Sequence, residues 1–280
     1  MSTAVATKQN GAIHLHELQV IDYARLKSHD EAEMDKLLQN ARAPGAFYLD
    51  LRNETRGADI LRHVEAVYQL SEGYFDQLPA WKLDDVRNDQ KPSQDRGYKQ
   101  CDGDESFEMS RDEMRDGSVA LPTVLHEKRS TLDEFSEACH EACMTMLSSL
   151  SQSLDKGRLE QHHRDGQASD SGLKLIYEPW RHRMADVTDN THTDSGTLTF
   201  LFYKELGLEA EIEVGSDWAY IPPKDGCAVI NVADSLERMS GGALHSLLHR
   251  VVQPADGFKK RYYLSYFLRP EQAWKDAQAA

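Results

Sequence analysis

The chain has 280 residues, 40% of them hydrophobic and 28% charged, enough apolar material for one sizeable core and ordinary for a globular protein. Its 47 acidic against 32 basic residues leave a formal net charge of −15, which argues against a nucleic-acid or anionic-membrane partner because either demands a basic face. No stretch approaches the roughly 18 consecutive apolar residues of a membrane span, and Met1 to Gly11 lacks the apolar core of a secretory signal, so a cytoplasmic protein is expected.

In chain order, the first helix is predicted after a cap at Ser28 or Asp30, because Met34, Leu37, Leu38 and Ala41 follow helical spacing and Pro44-Gly45 stops it. A strand, Ala46 to Leu49, follows. A second helix carries Ile60, Val64, Val67 and Tyr74 on one face and ends before Pro79. From Trp81 to Gly117 the composition turns polar and charged over a span too long for a simple connection, which predicts a functional loop region covering the mouth of a sheet. A third helix is predicted over about Ser130 to Leu150; on it Cys139 and Cys143 share a face with Phe135, Ala142, Met146 and Leu150, so they read as core thiols rather than metal ligands. With Cys101 and Cys227 they form no Cys-x-x-Cys pair, and all four read as reduced.

The run from Asp155 to Ser171 is almost wholly polar and reads as a surface loop, so its His163-Arg-Asp165 is expected to be solvated. A second His-x-Asp, His192 and Asp194, stands differently: it opens an alternation in which Leu198, Phe200 and Phe202 share one strand face. Residues 226–232 are a short apolar run of strand type, Ser240-Gly-Gly242 makes a turn, and Leu244 to Val252 is predicted to return as another strand carrying His249. Two imidazoles and one carboxylate are the ligand set that holds non-heme Fe(II) on one side and leaves positions open for O2 and substrates.

Four stretches carry a family resemblance: His-Thr-Asp-x-Gly-Thr-Leu-Thr at 192–199, Val-Ile-Asn-Val-Ala-Asp at 229–234, Ser-Gly-Gly-x-Leu-x-Ser-x-Leu-His-Arg-Val at 240–251 and Arg-Tyr-Tyr-Leu-Ser-Tyr-Phe-Leu-Arg-Pro at 261–270. They resemble the isopenicillin N synthase-like branch of the Fe(II)/2-oxoglutarate dioxygenases, with some motifs nearest to fungal members that tailor secondary metabolites. The resemblance implies a mainly β protein with flanking helices: a double-stranded β-helix, or jelly-roll, over 172–270, preceded by a helical region over 1–154 that contributes strands and by a linker over 155–171, and followed by a tail over 271–280. It also implies His192, Asp194 and His249 as iron ligands, 2-oxoglutarate and O2 as cosubstrates, and oxidation of an unactivated C–H bond with release of succinate and CO2. Arg261 falls where the family's Arg-x-Ser motif grips the distal carboxylate of 2-oxoglutarate, a task suited to a planar guanidinium.

Two departures from the pattern matter. Tyr263 replaces the serine of Arg-x-Ser, and Glu178 stands where a tyrosine often meets the cosubstrate, so a 2-oxoglutarate-independent iron oxidase stays open beside the dioxygenase. Phe267 alternates with Arg261 and Tyr263, and Lys174 and Glu178 could join them from the strand at 173–179; a charged pair facing a jelly-roll interior points to a small molecule with an ionised group. These three are the candidate substrate residues.

Overall fold

The computed structural model describes residues 13–91, 94–101, 103–154, 157–179, 190–213, 215, 218–254 and 260–279. Its strands are β1 (Val20–Asp22), β2 (Ala46–Asp50), β3 (Gly97–Gln100), β4 (Glu105–Ser110), β5 (Gly172–Pro179), β6 (Leu198–Tyr203), β7 (Leu208–Glu211), β8 (Trp218–Tyr220), β9 (Cys227–Val232), β10 (His249–Val251) and β11 (Lys260–Leu268). Eight of them form one large sheet in the order β1-β2-β9-β6-β11-β5-β4-β3, and three form a small sheet in the order β10-β7-β8. Only β1 and β2 pair in parallel among these strands.

The strand sequences explain why the large sheet is covered on both faces. Every residue of β6 and of β9 is buried, so neither strand shows the apolar-polar alternation of a half-exposed sheet. Leu198, Phe200 and Phe202 do share one face, as their spacing predicts; with Ile230, Val232, Leu264, Tyr266, Leu173 and Leu175 they form one core with the helices. Those helices are Glu31–Arg42, Thr55–Phe75 and Arg129–Leu154. Cys139 and Cys143 lie fully buried in this core. The opposite face carries Leu201, Tyr203, Val229 and Tyr263, which meet Leu208 and Ala210 of the small sheet. Each large apolar side chain withdrawn from water contributes roughly 1.5–3 kcal/mol, so truncating the fully buried Phe200 should cost about 3–5 kcal/mol. The jelly-roll interior is therefore one face of the large sheet, and the helices cover the other.

Asp30, not Ser28, caps the first long helix by accepting from the backbone N–H of Glu33. Gly45 then turns the chain into β2 at φ 88°, and a Cβ there would lie 2.2 Å from the carbonyl oxygen of His245. Both demands select glycine.

Four sequence-based expectations are corrected. Trp81 to Gly117 is not a loop region: it supplies β3, β4 and the helix Arg111–Asp116, and β4 pairs with β5 from Glu105–Tyr177 to Ser110–Gly172. Its polar residues misled because several are buried with partners: Lys82 with Glu105, and Glu108 with Arg269. Leu244 to Val252 contains only the three-residue strand β10. The segment expected as a polar linker and surface loop folds into a 3-10 turn, Leu159–His162, and buries both Leu159 and His163. The expected tail is the helix Gln272–Ala279, anchored at its start by a bidentate Arg164–Glu271 pair at 2.7 Å. Among the described residues no helix is long and apolar enough to cross a membrane.

Candidate metal centre and cosubstrate pocket

His192 and His249 sit opposite each other as a single antiparallel bridge, with His192 N–H donating to the His249 carbonyl at 2.9 Å and His249 N–H returning the bond at 3.0 Å. This rung continues the small sheet and brings the two imidazoles to a centroid separation of 4.4 Å. Asp194 joins them from the turn leading into β6. Its Oδ1 lies 3.9 Å from His192 Nε2 and 3.8 Å from His249 Nε2. One donor atom from each residue falls within 4.8 Å of the other two. The 3.9 and 3.8 Å separations let Asp194 Oδ1 and either Nε2 each lie about 2 Å from an ion between them, the usual metal–nitrogen length.

The surroundings of the three side chains fix which atoms face the centre. His192 Nδ1 meets the Asn190 carbonyl at 2.7 Å and His249 Nδ1 meets the Leu247 carbonyl at 3.0 Å. A carbonyl only accepts, so each Nδ1 carries the proton and each Nε2 keeps its lone pair for a metal. Burial also lowers the pKa of His249, against the pull of Asp194, which favours the neutral ring a ligand requires. Asp194 Oδ2 accepts a 2.6 Å hydrogen bond from Thr199 Oγ1, leaving Oδ1 toward the imidazoles. The donor set and its supports fit a divalent metal of the Fe(II) type.

The turn at 194–197 is pinned from several directions. Ser235 Oγ donates to the Ser195 carbonyl at 2.8 Å, and Thr197 N–H donates to the Leu268 carbonyl at 2.7 Å. His163 Nε2 stands 2.7 Å from Thr197 Oγ1, with both residues buried. The reading of His163 as a solvated loop residue is thereby reversed: it buttresses the metal turn from the helix side. Asp165, in contrast, is 60% exposed at its side chain and pairs with Arg111 and Arg115.

Further along the interior face, cross-strand register sets Arg261 opposite Glu178, Tyr263 opposite Ile176, Ser265 opposite Lys174 and Phe267 opposite Gly172. Arg261 is 1% exposed, and its Nε donates to the Leu206 carbonyl at 3.1 Å. Tyr263 Oη donates to Glu178 Oε2 at 3.4 Å, while its ring packs near Tyr203 with centroids 6.1 Å apart. A Cβ on Gly207 would lie 2.2 Å from Tyr263 Oη, so the space for this tyrosine is made partly by a glycine on the next loop. Burial pushes the Glu178 carboxyl up to about 7, against the opposing influence of Gln253, Arg261 and Tyr263.

The sequence-based pairing of Lys174 with Glu178 does not form. Lys174 Nζ lies 3.0 Å from Asp95 and 3.9 Å from Glu108. Phe267 is the candidate substrate residue beside the centre, since its cross-strand neighbour Thr199 bonds Asp194. Its ring carries the Arg269 guanidinium at 4.6 Å. Thr199, Glu108 and Arg269 were missed by sequence reasoning. Thr199 carried a signal as the one small polar residue of β6, whereas Glu108 lies in a strand rich in polar residues and Arg269 lies just past the end of β11.

The 2OG-Fe(II) oxygenase superfamily profile matches residues 160–270. The chain is 34% identical over 271 residues to the 2-oxoglutarate-dependent dioxygenase gloE of Glarea lozoyensis, covering 91% of this chain and 80% of that protein. It is 33% identical over 280 residues to the 2-oxoglutarate-dependent dioxygenase frbH of a Dothideomycetidae species, covering 94% and 85%. Its fold matches Neurospora crassa T7H in complex with alpha-KG at a TM-score of 0.73, with 22% identity over 90% of this chain and 85% of that one. With relatives named for their 2-oxoglutarate dependence, the cosubstrate-independent oxidase is not favoured. The chain belongs to the 2OG-Fe(II) oxygenase superfamily and is an Fe(II)- and 2-oxoglutarate-dependent dioxygenase.

Proposed function

We propose that His192, Asp194 and His249 hold the iron, that Arg261 binds the distal carboxylate of 2-oxoglutarate beside Tyr263, and that a small metabolite is oxidised over the face carrying Phe267, Glu178 and Lys174. The observation that carries the triad is the pair of Nδ1-to-carbonyl contacts, which commit both imidazoles to present Nε2 toward Asp194. When bound, Fe(II) with 2-oxoglutarate and O2 supplies an oxidant for an unactivated C–H bond, and the cosubstrate leaves as succinate and CO2. The chain's own work is positioning. The bridge that continues the small sheet holds the two imidazoles, His249 buried and His192 half-exposed, and Thr199 fixes the carboxylate.

Arg261 supports the cosubstrate assignment because its planar guanidinium lies on the interior face beside Tyr263 and presents paired donors that suit a carboxylate. For the substrate we favour a fungal natural product or its precursor bearing a polar or ionised group, in keeping with the charged residues Glu108, Lys174 and Glu178 on the same face. Anaerobic titration with Fe(II) and 2-oxoglutarate tests the reading through the weak visible charge-transfer band of the ternary complex. The band should form in the wild type and be lost in His192→Ala, Asp194→Ala and His249→Ala. Its persistence in any of these three would overturn the ligand set.

A further inference from the structure

Asn231 is the next-to-last residue of β9 and lies on the interior face, with Thr199 as its cross-strand neighbour on one side and Ala46 on the other. Its companions by alternation, Cys227 and Val229, belong to the interior core, whereas Ala228, Ile230 and Val232 face the helices. The side chain is 1% exposed, and neither Oδ1 nor Nδ2 has a hydrogen-bond partner among the described residues. Thr199 cannot easily serve it, since that hydroxyl already donates to Asp194 Oδ2 at 2.6 Å. Ala46 offers no polar side chain.

An unsatisfied carboxamide is expensive in such a place, because both ends lose their water and gain nothing in return. Buried polar groups in native proteins are almost always answered, so a bare one next to a reactive centre calls for a partner that arrives with the ligands. A carboxamide offers two N–H donors and a carbonyl acceptor, and its terminal torsion is soft enough to turn either end toward an incoming group. The group that matches this set is an oxygen ligand: a carboxylate oxygen or a coordinated water.

We infer that Asn231 is a binding residue of the metal centre, holding through its amide an oxygen ligand in the positions that His192, Asp194 and His249 leave open. The assignment rests on the proposed triad. It extends the centre by one strand, from Thr199 on β6 to its neighbour on β9, and gives the fully buried amide a purpose that packing alone does not.

The test uses the full chain and Co(II), a redox-silent probe, with Asn231→Leu as the main variant and Asn231→Thr as one that retains a donor and an acceptor. Removal of the bare amide should raise the metal-free melting midpoint of Asn231→Leu by about 2–4 °C. The same variant should bind an oxygen ligand about 10- to 100-fold more weakly, with Asn231→Thr in between. A loss confined to 2-oxoglutarate affinity, with Co(II) uptake unchanged, identifies the cosubstrate carboxylate as the partner; weaker Co(II) uptake without 2-oxoglutarate identifies coordinated water. Wild-type affinities for both in Asn231→Leu overturn the inference, and if that variant does not fold, wild-type affinities in Asn231→Thr do so. A wild-type protein that takes up no Co(II) would instead overturn the triad.

Discussion

Glu178→Gln should make the metal-free protein more stable in mild alkali and flatten its pH dependence. Glu178 is 8% exposed, and burial raises its pKa from 4.5 to about 7. An acid with a raised folded pKa contributes stability that is complete below its unfolded value and is lost as pH climbs through the folded one. The window therefore runs from about pH 4.5 to above pH 7. At 1.36 kcal/mol for each unit of difference, the loss across that window is roughly 3 kcal/mol. Glutamine cannot ionise, so the variant should lack this loss. Urea melts of both proteins at pH 5.5 and 8.5, with metal and cosubstrate absent, read the part of it above pH 5.5, roughly 2 kcal/mol. The same ionisation sets a carboxylate beside the Arg261 guanidinium, so 2-oxoglutarate affinity should weaken above pH 7 in the wild type and less so in the variant. Parallel stability curves for the two proteins would refute the reasoning, because they would mean that Glu178 does not titrate differently in the folded chain.

Arg261→Ala should raise the 2-oxoglutarate requirement by a factor of roughly 10–100, the equivalent of about 1.5–3 kcal/mol for a charge-assisted pair; Arg261→Lys should recover part, and cosubstrate KM measured against succinate release decides. His163→Ala should lower stability by about 1–3 kcal/mol by leaving Thr197 Oγ1 without its buried partner, whereas Asp165→Ala at an exposed pair should change it by less than about 1 kcal/mol in thermal melts. Gly207→Ala should destabilise the wild type through its clash with Tyr263 Oη and be tolerated in a Tyr263→Ser background, a difference that a double-mutant cycle reads in denaturant midpoints.

The sequence is most legible where local chemistry and fold agree. The His-x-Asp before β6 and the largely apolar and aromatic runs of β6, β9 and β11 can be read directly, because a buried strand and a ligand motif both leave short-range signals. The edge of the large sheet is less legible. β4 reads as polar loop because Glu105 and Glu108 look solvated until Lys82, Lys174 and Arg269 are brought to them from distant positions. His163 fails for the same reason: its partner Thr197 is 34 residues away, and only the fold turns a charged-looking run into a buried buttress. Lys174 and Glu178 share a face, yet register gives each a different set of neighbours, which spacing along one strand cannot reveal.

The His192–His249 rung has a further consequence for how the ion and the chain depend on each other. It closes a circuit of 249 − 192 = 57 residues with two main-chain hydrogen bonds. Part of the entropy of drawing those ends together is thus met by the peptide ladder itself. In a domain whose metal is its only clasp, chelation and unfolding are one event. Here the two are expected to separate: chelating an ion held at the rung should leave its strands in place, an outcome that circular dichroism before and after chelation checks.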